Sequence, residues 1–326
     1  MSDDPAWLEW RRGGITATDI ADAANGTYGG EYGVVARKLG LITVEQNAAM
    51  ERGHRWQPKI ADAVDMLTGY FVVGEETRCQ HADNDMIRAT VDGFLSTLPE
   101  ATLDDVEGVL EIKTTGLSVR ANRARWDDQM QWQMLSTGCH VAVLAHAVID
   151  DVNDALVSLN LDEVQADPFR QQHLVSIAER LWMHVQAGTL PDPDSPSALD
   201  DVKTVCAVAD PELETVDLEP FADDVTRLAL IKDRLKEVED EKSLIEARLR
   251  SALGAATKGE TTSHRVTIAK PKSVMTDELE AQLLELRPDL AKTVIDKDRA
   301  KTEAKDLYEA HRAPVGARAL TIKELA

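Results

Sequence analysis

The chain is poor in aromatic side chains, cysteine, long uncharged runs and basic charge, and each shortage excludes something. Six Trp, four Tyr and four Phe among 326 residues leave an aliphatic core as the kind this chain can build. Its 43% hydrophobic content is that of an ordinary globular protein, above what disordered segments carry. The most apolar run, residues 141–149, falls far short of the roughly 20 residues that cross a bilayer, so it reads as a buried strand and no membrane partner is expected. The acidic opening Met-Ser-Asp-Asp-Pro is not expected to begin a secretory signal. Cys79, Cys139 and Cys206 are scattered without a Cys-x-x-Cys pair. Such thiols are expected to be reduced, and three of them cannot hold a four-cysteine iron–sulfur cluster.

The basic shortage is uneven. Lys and Arg number 36 against 58 Asp and Glu, for a net charge of −22, which by itself argues against a polyanionic partner. Residues 150–224, however, carry 18 acidic and three basic side chains, so much of the excess sits in one stretch. Between Ile112 and Trp126 there are four basic residues (Lys113, Arg120, Arg123, Arg125) and no acidic one. A basic patch on an otherwise acidic molecule is compatible with DNA.

Periodicity and breakers give the elements. Thr16 or Thr18 is placed to cap a short helix after the Gly13-Gly14 loop. Residues 51–68 read as a helix with Trp56, Ile60, Ala63, Val64 and Leu67 on one face, stopped by Gly69. Strands are expected at 70–73, at 86–92 leading into an Asp92-Gly93 turn, at 106–114, at 140–149 and at 155–161. Helices are expected at 126–137 and 168–186. The Pro-rich stretch 191–197 reads as a linker between a domain at 1–190 and a mostly helical one at 198–326. In the latter, Leu228, Ile231, Leu235, Val238, Ile245, Leu249 and Ala252 follow the 3-4 spacing of a coiled-coil seam, interrupted by Lys242. A small sheet is expected from 265–270 pairing with 319–323, with a helix at 277–286 between them.

The chemistry-bearing pattern is Val91-Asp92-Gly93 followed by Glu111-Ile112-Lys113. On a strand, Glu111 and Lys113 share one face while Ile112 enters the core. If the strand ending at Asp92 pairs alongside, two carboxylates and an ammonium converge at one end of a sheet. Asp92, Glu111 and the Ile112 carbonyl then suit Mg²⁺, a hard ion that prefers oxygen, with Mn²⁺ as a substitute. Lys113 would position or deprotonate a water, or offset charge on a phosphate. The bland alternative is an Asp-Gly turn and a solvated Glu-x-Lys face, but Val109, Leu110 and Ile112 make the strand internal, where charges are usually functional.

The order helix, strand, strand ending in Asp, strand with Glu-x-Lys, helix resembles the PD-(D/E)XK nuclease core, and within it the bacteriophage lambda exonuclease and YqaJ-type viral recombinases. Three more segments carry the resemblance: Arg11 through Thr18, ending Ile-Thr-Ala-Thr; Arg52-Gly53-His54-Arg55-Trp56-Gln57; and Gln129-Met130-Gln131-Trp132-Gln133. The resemblance implies an α/β nuclease domain, and Mg²⁺-dependent 5′ to 3′ degradation of linear double-stranded DNA. The 3′ single strands so made would pass to a phage single-strand annealing protein, in the cytoplasm of a bacterial host. It places Arg11 and Thr18 on the terminal phosphate, and Gln57 and Gln131 with Asp92, Glu111 and Lys113 in the catalytic set. Gln129, with Arg120 of the basic stretch, is placed on DNA. Gln57 departs from the family, which usually has Glu there, so a second metal site is in doubt. The family's rings leave a homo-oligomer open. Two other readings remain: an endonuclease or repair nuclease of the same core, and a non-cutting recombination scaffold.

Overall fold

In a computed structural model, residues 5–44, 46–207 and 216–267 are described. The chain divides into two compact units, Met1–Val208 and Ala209–Ala326. The first opens with helix α1 (Pro5–Arg12), strand β1 (Ile15–Thr16), α2 (Ala17–Ala24) and α3 (Gly30–Lys38). Then come the long helix α4 (Ala48–Leu67) and strands β2 (Phe71–Val73), β3 (Thr77–His81), β4 (Asn84–Val91), β5 (Gly93–Ser96) and β6 (Gly108–Gly116). Helix α5 (Arg123–Thr137) precedes β7 (Val141–Asp150) and β8 (Ala155–Gln165), and α6 (Pro168–Ala187) and α7 (Leu199–Val205) complete the unit.

The strands form two sheets. One has the order β1-β4-β3; the other, β2-β5-β6-β7-β8, is mixed, with β6 and β7 parallel and the other neighbours antiparallel. Alternation along β6 sets the layers. Leu110 and Ile112 join Leu95, Val143 and Ala145 under Trp56, Ile60 and Val64 of α4, while Val109 joins Phe94, Ala142 and Leu144 under Trp126, Met130 and Met134 of α5. A third cluster packs β1 and β4 against α2, α3 and α6. Trp132 of α5, fully buried, donates its indole N–H to the carbonyls of Ile15 (3.2 Å) and Arg88 (3.1 Å), tying α5 to the smaller sheet.

The caps are chemically ordinary. Asn47 accepts from the amides of Ala49 and Met50 to start α4, and Asp167 accepts from those of Phe169 and Arg170 to start α6. Gly138 and Gly188, both left-handed, end α5 and α6.

Two expectations change. The strand ending before Asp92 does not pair with the Glu111 strand: β4 lies in the other sheet, and the chain bends at Asp92 so that β5, beyond it, pairs with β6. The bend needs glycine next, because a Cβ on Gly93 would stand 2.6 Å from Val72 Cγ1. The first unit also ends later than 190, and the 191–197 stretch is partly docked. Ser197 Oγ accepts from the Gly29 amide (2.9 Å) and donates to the Gly26 carbonyl (2.8 Å), and Ala198 is buried with Tyr32 and Ala36 of α3. In the second unit, strand β9 (Lys258–Glu260) pairs antiparallel with β10 (Arg265–Thr267). The expected elements at 277–286 and 319–323 lie outside the described residues. The seam helix is present as α8 (Ala222–Leu253). No helix among the described residues is long and apolar enough to cross a membrane.

Candidate active site

The site forms where β5 and β6 begin to pair. Gly93 stands opposite Leu110, so one step back along β5 sets Asp92 opposite Glu111. Asp92 Oδ2 accepts the Ile112 amide at 2.7 Å, which fixes the carboxylate across the strand pair. From α4, Gln57 Nε2 reaches Asp92 Oδ1 at 3.3 Å. Glu111, only 2% exposed, is gripped from α5: Gln129 Nε2 donates to its Oε1 (2.6 Å) and Gln133 Nε2 to its Oε2 (2.5 Å). Lys113, two residues on and on the same face, forms an ion pair with Glu111. Burial, with the Glu111 charge adding to it, raises the Asp92 carboxyl well above the usual carboxylate range, against the opposing pull of Lys113 and the Ile112 amide.

The donors are therefore two apposed carboxylates, short of positive charge. The side-chain oxygens of Gln129 and Gln133 are also buried and find no hydrogen-bond partner in the protein. That acceptor-rich, cation-poor setting fits a hard divalent ion bound through Asp92, Glu111 and the Ile112 carbonyl. Among the described residues no group of three or more His, Cys, Asp or Glu is placed to hold a metal. Much of such an ion's shell would thus be water and neutral oxygen, which is how Mg²⁺ is usually held.

The structure brings together Asp92, Glu111, Ile112, Lys113, Gln57 and Gln129, and it leaves Gln131 out. Gln131 donates to the Gln165 carbonyl (2.8 Å) and accepts the Asp167 amide (2.8 Å), joining α5 to the β8–α6 connection. Residues two apart on a helix point to different sides, whereas Gln129 and Gln133, four apart, share one. Gln129, placed on DNA from the sequence, is buried against Glu111 instead. Gln133 was missed; its signal was the i, i+4 spacing from Gln129. His146 was missed too. It lies beside Lys113 in the β6–β7 register, within hydrogen-bond distance of the Thr115 hydroxyl (2.9 Å) and against the Trp126 ring.

Of the expected DNA contacts, Arg120 is exposed between β6 and α5. Arg11 Nη2 donates to Thr16 Oγ1 (3.3 Å) and lies 3.8 Å from Asp19, while Thr18 is half-buried in the first turn of α2. The cap of that helix is Thr16, whose amide and hydroxyl both donate to Asp19 (2.9 and 2.5 Å). The segment Arg52 to Gln57 braces the site's far side: Arg52, buried, hydrogen-bonds Thr114 of β6 and pairs with Asp151.

Among solved structures, the alkaline exonuclease LHK-Exo of Laribacter hongkongensis is 21% identical, with a TM-score of 0.43 over 56% of this chain and 93% of that one. A phage-related exonuclease of Haemophilus somnus 129PT is 14% identical, with a TM-score of 0.39 over 54% of this chain and 96% of that one. A putative exonuclease from Eubacterium rectale is 13% identical, with a TM-score of 0.41 over 68% of this chain and 97% of that one. No curated protein matches the chain. Residues 6–140 match the YqaJ-like viral recombinase domain, the family that the sequence motifs resemble.

Proposed function

We propose that the chain is a Mg²⁺-dependent exodeoxyribonuclease that degrades linear double-stranded DNA from 5′ ends, leaving 3′ single strands for a phage annealing protein. The observation that carries this reading is the apposed pair of half-buried Asp92 and buried Glu111 with Lys113 beside it, in a domain that matches a viral recombinase family. Two carboxylates enclosed with a single ammonium are costly for a fold and suit phosphodiester hydrolysis. When bound, the metal would supply Lewis-acid stabilisation of the phosphate and a more acidic water.

The chain's own residues do the rest. Asp92 is aimed by the Ile112 amide and by Gln57. Glu111 is held in one rotamer by Gln129 and Gln133, so no reorganisation is needed when charge develops. Lys113 is placed to move a proton from the attacking water or to offset charge on the phosphate oxygens. Arg11, in the last turn of α1, and Thr18, in the first turn of α2, are assigned to the 5′ phosphate, since helix N-terminal amides favour an anion.

The reading is tested with duplex DNA labelled at either end and with covalently closed circles, each with Mg²⁺ or with EDTA. Mg²⁺-dependent loss of 5′ label from linear DNA, faster on 5′-phosphate than on 5′-hydroxyl ends, is the expected result. Cutting of closed circles would make the chain an endonuclease of the same core, and no cutting of any substrate would make it a scaffold.

A further inference from the structure

Helix α8 runs 32 residues and buries none of its side chains. Its seam nevertheless keeps a heptad that Lys242 alone interrupts: Leu228, Leu235, Lys242 and Leu249 at one core position, and Ile231, Val238, Ile245 and Ala252 at the other. Leu235 is 56% exposed and Val238 53%, so nothing among the described residues covers the seam over its centre. A stripe this narrow is the pattern of two helices wound together.

The flanking charges say which helix fits. Arg227, Arg234, Glu241 and Arg248 line one side of the seam, and Lys232, Glu239 and Glu246 line the other. A parallel, in-register pair would set Lys242 against Lys242, Glu241 against Glu246 and Arg227 against Lys232, leaving only Arg234 with Glu239 attractive. An antiparallel pair centred between Lys236 and Glu237 does better. It sets Arg234 against Glu241 in both directions and Lys232 against Glu239 in both directions, and each Lys242 meets Ile231 rather than its own copy. The overlap runs through residues 222–251, almost the whole helix. The one like-charged pairing, Arg227 with Arg248, falls toward the solvent-screened ends. A shift of one heptad in either direction sets Glu241 against Glu241 or Arg234 against Arg234. Lys242 in the seam, with Glu246 3.8 Å away on its own helix, works against parallel pairing, as polar core residues do in other coiled coils.

We propose that α8 pairs with α8 of a second copy of this chain as an antiparallel coiled coil, with Arg234 and Glu241 as its reciprocal charge pair. Both residues are exposed, so changing them leaves the fold alone. Sedimentation equilibrium of the full chain should give twice the 35.8 kDa chain mass at micromolar concentration. Glu241→Arg should raise the dimer Kd by roughly tenfold, from two attractions lost and two repulsions gained at a few tenths of a kcal/mol each, and Arg234→Glu combined with Glu241→Arg should restore it. A monomeric wild type overturns the proposal; the seam is then covered by another part of the chain or by another protein. So does an assembly indifferent to these charges, or one that Glu241→Arg tightens, as parallel pairing against Glu246 would.

Discussion

Glu111 shows how much a single carboxylate is asked to do. It is buried, receives two amide donors from one helix face, and pairs with an ammonium two residues along its own strand. Lys113→Ala should slow cleavage by roughly 10²–10⁴, the range for loss of a general acid–base group, with the fold retained because the side chain is partly exposed. The glutamines offer a sharper contrast. Gln133→Ala and Gln131→Ala each remove a buried amide with two partners, so each should cost about 1–3 kcal/mol in urea unfolding. Only Gln133→Ala should also lower cleavage per folded molecule, by roughly 10–100-fold with weaker Mg²⁺ dependence, as supporting residues of metal ligands do. Equal activity losses in the two variants would remove the distinction. In the sequence, Asp92, Glu111 and Lys113 were legible because charged residues interrupt an otherwise internal apolar strand. The choice among three glutamines was not, because helix phase relative to β6 is fixed by Trp126, Met130 and Met134 packing, and no local pattern states it.

At the scale of elements, α2 is held by a buried charge cluster. Lys38 of α3 pairs with Asp19 at 2.5 Å and donates to the Arg11 carbonyl at 2.6 Å. Burial pushes the Lys38 amine down to about 8. Burial also pushes Asp19 upward, but Lys38, Arg11 and Thr16 outweigh it and hold that carboxyl well below the usual range. Because the folded pKa lies below the unfolded one, the carboxylate's contribution is complete above about pH 4 and is lost as pH falls through the folded value. Asp19→Asn should therefore cost about 3–5 kcal/mol near neutral pH by leaving Lys38 unpaired, with the gap to wild type narrowing in acid. A gap that stays constant to the lowest measurable pH would show that Asp19 acts by packing alone. Periodicity located α4, α5, α6 and four strands of the larger sheet, β2, β6, β7 and β8, but not β5. It did not locate α3, whose entry depends on a left-handed Gly29 where any Cβ would strike Asp201, a contact from residues far along the chain. It also missed the sheet change at Asp92, since an Asp-Gly pair looks the same whether it turns a hairpin or passes a strand from one sheet to another.

For the whole molecule, the charge imbalance reaches the border of the site. Much of the acidic excess falls in the stretch from residue 150 to 224, but the basic segment between Ile112 and Trp126 is largely matched by carboxylates: Arg123 pairs with Asp127 and with Asp162 of that stretch, Arg125 pairs with Asp22, and Arg120 is exposed. The boundary between units was placed too early because a Pro-rich stretch reads as a free linker, although Ser197 and Ala198 are docked on α3 and its entry loop. The central claim is that Asp92 and Glu111 together hold the ion that makes this chain a nuclease. Release of acid-soluble nucleotide from linear duplex DNA by wild type and by Asp92→Asn, followed across a Mg²⁺ titration, tests it most directly. The expected result is Mg²⁺-dependent release by the wild type and background release by a folded Asp92→Asn; near-wild-type release by that variant would contradict the account.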